Sequence, residues 1–202
     1  MAKALVIVAH PDDETIWCGG TILKHKKWDW TIISLCRKGD PDRAPKFARV
    51  CRALNARCAM GDLEDEHPER PLRSPEEVKS RIAGLLGQKK FGFSFDFIFT
   101  HGENGEYGHN RHKETHAAVK EMLSEGALRC KKIFFFSYKR SSRGGFAEPD
   151  ARCADLNEEL SARGARAKQL LITSMYGFSI GSFEQLSASA VETFKVEVTC
   201  DR

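Results

Sequence analysis

Short apolar runs alternate along this chain with longer stretches whose apolar residues recur at helical spacing. The runs are ALVIVA (4–9), WTIISLC (30–36), FDFIFT (95–100) and KIFFFSY (132–138), with a weaker one, ARCAM (56–60), third in chain order. Between them the segments 14–27, 42–55, 74–90 and 112–126 read as helices. This alternation predicts an α/β fold with a mostly parallel sheet. Strands that are apolar almost throughout predict helices on both faces, hence three layers. Ser74, Pro75 and Glu77 supply a capping side chain, a first-turn proline and a carboxylate three residues on, which marks a helix start. Beyond about residue 150 the pattern weakens, although SARGARAKQLLITSMYG (161–177) reads as a helix stopped by Gly177. The acidic, proline-bearing GDLEDEHPERPL (61–72) reads as a surface excursion. With no repeat, linker or low-complexity segment, one domain over 1–202 is expected.

Composition narrows the function classes. The 202 residues are 41% hydrophobic and 30% charged, ordinary for a globular domain and enough for a sizeable core. The net charge of +4 comes from Lys and Arg spread along the chain, so a solvated basic surface is expected and no nucleic-acid partner. No apolar stretch approaches the ~20 residues of a membrane span. The opening segment lacks the pattern of an export leader. Seven cysteines without a CxxC pair read as reduced thiols and point to the cytoplasm. KIFFFSY and the aromatic tail are the candidate surfaces for a homo-oligomer.

Candidate chemistry gathers after two of the strands. Open parallel sheets bind ligands beyond the carboxyl ends of their strands. His10-Pro11-Asp12-Asp13-Glu14 follows the first strand, and HGENGEYGHNRHKETH (101–116) follows FDFIFT. His10 with Asp13, and His109 with His112, are spaced to point the same way and offer nitrogen and oxygen donors to a divalent metal. Two histidines with one carboxylate are a known catalytic zinc set, and the same donors accept Mn, Fe or Co. Asp12 beside them is placed to take a proton from bound water. Glu14 reads as a helix-start carboxylate. His116 reads as a supporting residue or an HxxxH partner of His112, and His101 as a pocket or loop residue. His25 and His67 read as surface residues. Arg43 and Asp62, in further loops on the same sheet edge, are even candidates for substrate contacts. Trp17, Trp28 and Trp30 could offer a sugar-stacking face, but core positions suit Trp28 and Trp30 better.

AHPDDE at the end of a first strand, followed by GEYGHNRH, resembles the LmbE/PIG-L family of zinc-dependent N-acetylglucosaminyl deacetylases. The resemblance extends to motif order, strand pattern and chain length. It implies a Rossmann-like fold and hydrolytic removal of the acetyl group from an N-acetylglucosamine-type amino sugar or its conjugate. It further implies His10, Asp13 and His112 as zinc ligands, Asp12 as general base and His109 as stabiliser of the tetrahedral intermediate. Either Asp12 or His109 would protonate the leaving amine. One departure is visible: many members carry Pro-Asp where this chain has Asn110-Arg111, which bears on what supports the ligand histidine. The competing readings are a metal hydrolase of another amide or ester, and a non-catalytic Rossmann-like binding module. The intact Asp12 speaks against the module.

Overall fold

In a computed structural model, which describes residues 1–67, 69–72 and 74–199, the first strand β1 (Lys3–Val8) lies inside the sheet, with a parallel neighbour on each side. Its side chains alternate, Ala4, Val6 and Val8 packing on one face and Leu5 and Ile7 on the other. A strand buried on both faces needs a helical layer on each side. The chain supplies them in turn: α1 (Asp13–Lys24), β2 (Asp29–Cys36), α2 (Arg43–Ala53), β3 (Arg57–Leu63), α3 (Pro75–Gln88) and β4 (Phe97–Thr100). A short turn α4 (Gly105–Gly108), then α5 (Asn110–Ser124) and β5 (Lys132–Phe136) complete the parallel part. The first core holds Trp17, Trp30, Phe47 and Phe99, and the second holds Ile82, Leu86, Val119 and Ile133. Helix α3 starts as expected, Ser74 accepting the Glu76 N–H with Pro75 in the first turn.

After β5 come a small hairpin of β6 (Tyr138–Arg140) and β7 (Ala147–Pro149), then β8 (Leu156–Glu159), α6 (Ala162–Leu170), α7 (Phe183–Ser187) and β9 (Val191–Val198). The main sheet runs β3-β2-β1-β4-β5-β9-β8, with β1 to β5 parallel and β9 and β8 antiparallel. This is the expected mostly parallel three-layer α/β fold. The segment 161–177 is helical, α6 passing into a π-helical turn (Leu171–Tyr176) that Gly177 stops at φ 81°.

One expectation is corrected and two are extended. KIFFFSY is no free interface: β5 lies between β4 and β9, and Tyr138 is buried in the adjoining hairpin. The tail is no weak appendage, because β9 and β8 complete the sheet. The pattern missed β9 because buried Glu192 interrupts its apolar face, on which Phe194 and Val196 pack against the first core. The weak strand at 56–60 is a true strand that runs on to Leu63. Six cysteines are free, and Cys200 lies outside the described residues. No helix among the described residues is long and apolar enough to cross a membrane.

Candidate metal centre

The strand order reverses at β1. The chain runs outward through β2 and β3, then returns to place β4 on the other side of β1. Such a reversal opens a crevice at the carboxyl ends, where doubly wound sheets bind ligands. The two histidine clusters leave β1 and β4 at that crevice, so a single strand pair brings them together.

Three donor atoms meet there in a nearly equilateral triangle. His10 Nδ1 lies 3.3 Å from His112 Nε2 and 3.3 Å from Asp13 Oδ2, and the third edge, His112 Nε2 to Asp13 Oδ2, is 3.4 Å. Every other polar atom of these side chains is already engaged. His10 Nε2 donates to Asp65 Oδ1 at 3.0 Å, and His112 Nδ1 donates to Glu106 Oε2. Asp13 Oδ1 accepts the Trp17 indole N–H at 2.8 Å. Each imidazole therefore carries its proton on the outer nitrogen and aims a lone pair at the other and at a carboxylate oxygen. Converging lone pairs repel unless a positive charge sits among them. The edges match the separation of ~3.3–3.4 Å between ligands on a tetrahedral ion with bonds of about 2.0–2.1 Å. The donor set thus fits a divalent cation of the zinc type.

Three other donor groups cluster there: in one, His109 joins the two histidines of the triangle as a further nitrogen donor, and two others fit less well. Asp13, His101 and His112 lie close together, but His101 Nε2 already accepts the Ala9 N–H at 2.9 Å. His10, Asp65 and Cys36 also cluster, but burial pushes the Cys36 thiol up and keeps it protonated. His101 serves instead as a buttress, stacked on His112 with ring centroids 3.8 Å apart. His116 braces the strand end by bonding the His101 carbonyl at 3.0 Å, a supporting role rather than a pairing with His112.

The remaining candidates line the same cleft. Asp12 adopts φ 138°, a left-handed conformation that costs a non-glycine residue about 1–3 kcal/mol and recurs at functional sites. Its backbone N–H donates to Glu14 and its carboxylate takes the Arg43 guanidinium at 2.7 Å. Burial and the nearby Asp13 push the Asp12 carboxyl well up, against the pull of Arg43. Arg43 in turn lies 4.4 Å above the Phe178 ring, so its first partners are Asp12 and an aromatic face. His109 sits edge-on to His10, centroids 4.7 Å apart, with its Nδ1 buried and without a hydrogen-bond partner among the described residues. Burial, followed by the adjacent His112 and His10, holds His109 down at about 3, a neutral imidazole. Burial pushes Glu14 up to about 7, where Thr15 and Tyr176 hydroxyls donate to it.

Other expectations fall away. Asp62 is exposed and outside the cleft. Trp17 and Trp30 are buried, and Trp28 stacks between Trp30 and Phe97, so none offers a face to a sugar. His25 is half-buried against Trp28, whereas His67 is exposed as expected. The acidic segment 61–72, apart from Pro68, which lies outside the described residues, is not merely a surface excursion, since Asp65 reaches in to hold His10. Asp65, Glu106, Arg37, Tyr107, Phe183 and Glu184 are site residues that the sequence did not single out, and Trp17, singled out for sugar stacking, instead holds Asp13. Glu106 stood inside the quoted GENGEYGH segment and Asp65 just past a strand on the same sheet edge. Nothing local marked Phe183 or Glu184.

Fold and donor cluster together define an α/β protein with a cleft able to hold a divalent cation at its switch point. The chain belongs to the PIG-L family, the GlcNAc-PI de-N-acetylases, which it matches over residues 5–123. It is 26% identical over 160 aligned residues to a 1D-myo-inositol 2-acetamido-2-deoxy-alpha-D-glucopyranoside deacetylase of Corynebacterium glutamicum, covering 60% of this chain and 54% of that protein. The chain spans about half the length of the curated relatives it matches. In structure it resembles the conserved protein TT1542 from Thermus thermophilus, with a TM-score of 0.68 and 20% identity over 96% of this chain and 94% of that one. It also resembles GalB, the 4-carboxy-2-hydroxymuconate hydratase of Pseudomonas putida, at 0.65 and 14% over 100% and 98%. The fold by itself therefore does not choose the reaction.

Proposed function

We propose that this protein is a zinc-dependent N-deacetylase that removes the acetyl group from an N-acetylglucosamine-type amino sugar or its conjugate. The observation that carries the proposal is the triangle of His10 Nδ1, Asp13 Oδ2 and His112 Nε2, with Asp12 and His109 lining the same cleft. His10, Asp13 and His112 are the cation ligands. A divalent cation held there supplies Lewis acidity and brings the pKa of a coordinated water towards ~7. Family membership supports the amide as the bond attacked, and the deacetylase relative supports the amino-sugar class.

The protein's own groups then divide the work. Asp12 orients the attacking water and takes its proton, while Arg43 fixes the carboxylate that does so. Water adds through its oxygen to the acetamide carbon, and the carbonyl oxygen gains the charge. His109, neutral and facing the cleft, donates a hydrogen bond to that oxygen, a contact worth about 3–4 kcal/mol when aimed at developing charge. The C–N bond breaks, the proton passes from Asp12 to the nitrogen, and acetate and the free amine leave. Glu106 and Asp65 hold the two imidazoles in the tautomers that ligation requires.

The test is amine release from a panel of N-acetylglucosamine glycosides by zinc-loaded wild type and Asp12→Asn, after both are shown to hold the cation. Activity in the wild type that falls by about 10²–10⁴-fold in the variant supports the proposal. A filled site that releases no amine from any member, yet cleaves a simple ester, would overturn the bond assignment.

A further inference from the structure

Asn110 and Arg111 stand between two cleft histidines, yet their side chains turn away from the cleft towards the segment that follows β3. Arg111 is fully buried, and each of its five guanidinium protons has an acceptor. Nε donates to the Glu64 carbonyl at 2.6 Å, and Nη1 to the Arg70 carbonyl at 2.9 Å and to Glu114 Oε2 at 2.8 Å. Nη2 donates to the His67 carbonyl at 3.3 Å and to the Glu64 carboxylate. Three of the five acceptors are backbone carbonyls of one irregular segment. The same helical turn adds two more ties, Asn110 Nδ2 to the Glu69 carbonyl at 3.2 Å and the Leu72 N–H to Glu114 Oε1 at 2.7 Å.

That segment carries Asp65, the neighbour of Glu64. Asp65 Oδ1 takes the proton of His10 Nε2 at 3.0 Å, and Oδ2 takes the Arg37 guanidinium at 2.9 Å. The far end of Arg111 is thus one residue away from the group that orients His10, while its own backbone precedes His112. We propose that Arg111 is a positioning residue: it clamps the chain at Glu64, His67 and Arg70 so that Asp65 holds His10 in register with His112. The inference rests on the cation-centre reading above. It also gives the Asn110-Arg111 departure a purpose, since support of His112 falls to Glu106 and the two intervening residues are released to secure the other histidine. Only a planar fork with five donors fills this cage. A lysine at the position would bring a point charge with three donors and leave carbonyls unbonded.

The experiment measures Co²⁺ affinity by chelator competition, together with the visible absorption of the Co²⁺ form, on the full chain. Variants are Arg111→Lys, Arg111→Met, Asp65→Asn, the Arg111→Lys/Asp65→Asn double, and Glu114→Gln, which leaves Arg111 in place. Loss of a partner that orients a metal-ligating histidine typically costs 10–100-fold in metal affinity. Each Arg111 variant and Asp65→Asn should show a loss in that range with an altered spectrum, and Glu114→Gln a smaller shift of the same kind. The double should be no worse than its weaker-binding single, because both act through one contact on His10. Folded Arg111 variants with a lowered unfolding midpoint but wild-type affinity and spectrum would overturn the proposal, as would additive losses in the double. Should the Arg111 variants fail to fold, an unaltered spectrum in Glu114→Gln would overturn it. Normal Co²⁺ binding without amine release sinks the deacetylase reading alone, whereas a wild type that binds no Co²⁺ sinks the cation centre and this inference together.

Discussion

Helix α1 meets buried carboxylates in two places. At its first turn Asp13 joins His10 and His112 in the cleft. Further along, where the helix kinks at Cys18 (φ −144°), Glu192 of β9 meets the backbone of its second half. Glu192 Oε1 accepts from Gly20 N–H and Lys168 Nζ, both at 2.7 Å, and Oε2 accepts the Thr21 N–H at 2.8 Å and its hydroxyl at 2.7 Å. Lys168 also donates to the Ser189 carbonyl at 3.0 Å. Both clusters are buried and both carry charge. They differ in closure: the Glu192 cluster matches donors to acceptors internally, whereas the cleft cluster aims three acceptors at one point. Burial of charge alone thus does not mark a site. Convergent atoms left without protons between them do.

That contrast can be broken most decisively at the ligand carboxylate. Asp13→Ala should abolish cation binding and amine release together, as measured by metal content after gel filtration. Lys168→Met should leave metal content unchanged. The same Lys168→Met should destabilise the fold by about 3–5 kcal/mol, because it strands Glu192 as an unpaired buried charge. Denaturant unfolding with and without zinc reads this out, and the zinc-dependent gain in stability should match that of wild type; a lost gain would join the two clusters energetically.

A narrower probe concerns His109, which lines the cleft but lies outside the triangle. His109→Ala should lower kcat by about 10²–10³-fold with cation affinity retained, and equal losses in both would make it a ligand instead. The smallest expected effect is a pH dependence. Burial lowers His10, but Asp13 and Asp65 more than offset it. Burial and His101 lower His112, but Asp13 and Glu106 prevail, so both stand above the ordinary 6.5 in the absence of a cation. A raised value means that protons compete for those lone pairs at higher pH than for a free imidazole. Cation affinity should therefore begin to weaken, as pH falls, already above 6.5, and a profile that stays flat down to 6.5 would contradict the assignment.

The legible parts of this protein are those whose physics is local. The strands β1, β2, β4 and β5 announced themselves because residues buried on both faces must be apolar in unbroken runs. The AHPDDE and GEYGHNRH segments showed their chemistry because a run of titratable residues directly after a buried strand has little other reason to be there. The departures came where partners are distant in sequence. Strand β9 was missed because its buried Glu192 is tolerable only with Lys168 beside it, a pairing no window of β9 reveals. The acidic segment after β3 read as solvated because nothing in its composition announces a buried arginine on another helix. The tail gave no sign that it would place Phe178 beneath Arg43 and Phe183 and Glu184 at the cleft.

By itself, then, the sequence determined the layered α/β architecture and the donors available to a cation. Hydrophobic periodicity and donor type are properties of short segments, and they survive into any arrangement the chain adopts. Only the tertiary structure decided which donors converge, because the triangle exists through the pairing of β1 with β4. It also decided which atom of each imidazole is bare, since Glu106 sets the tautomer of His112 from a short turn, and Asp65 that of His10 from a loop 55 residues away.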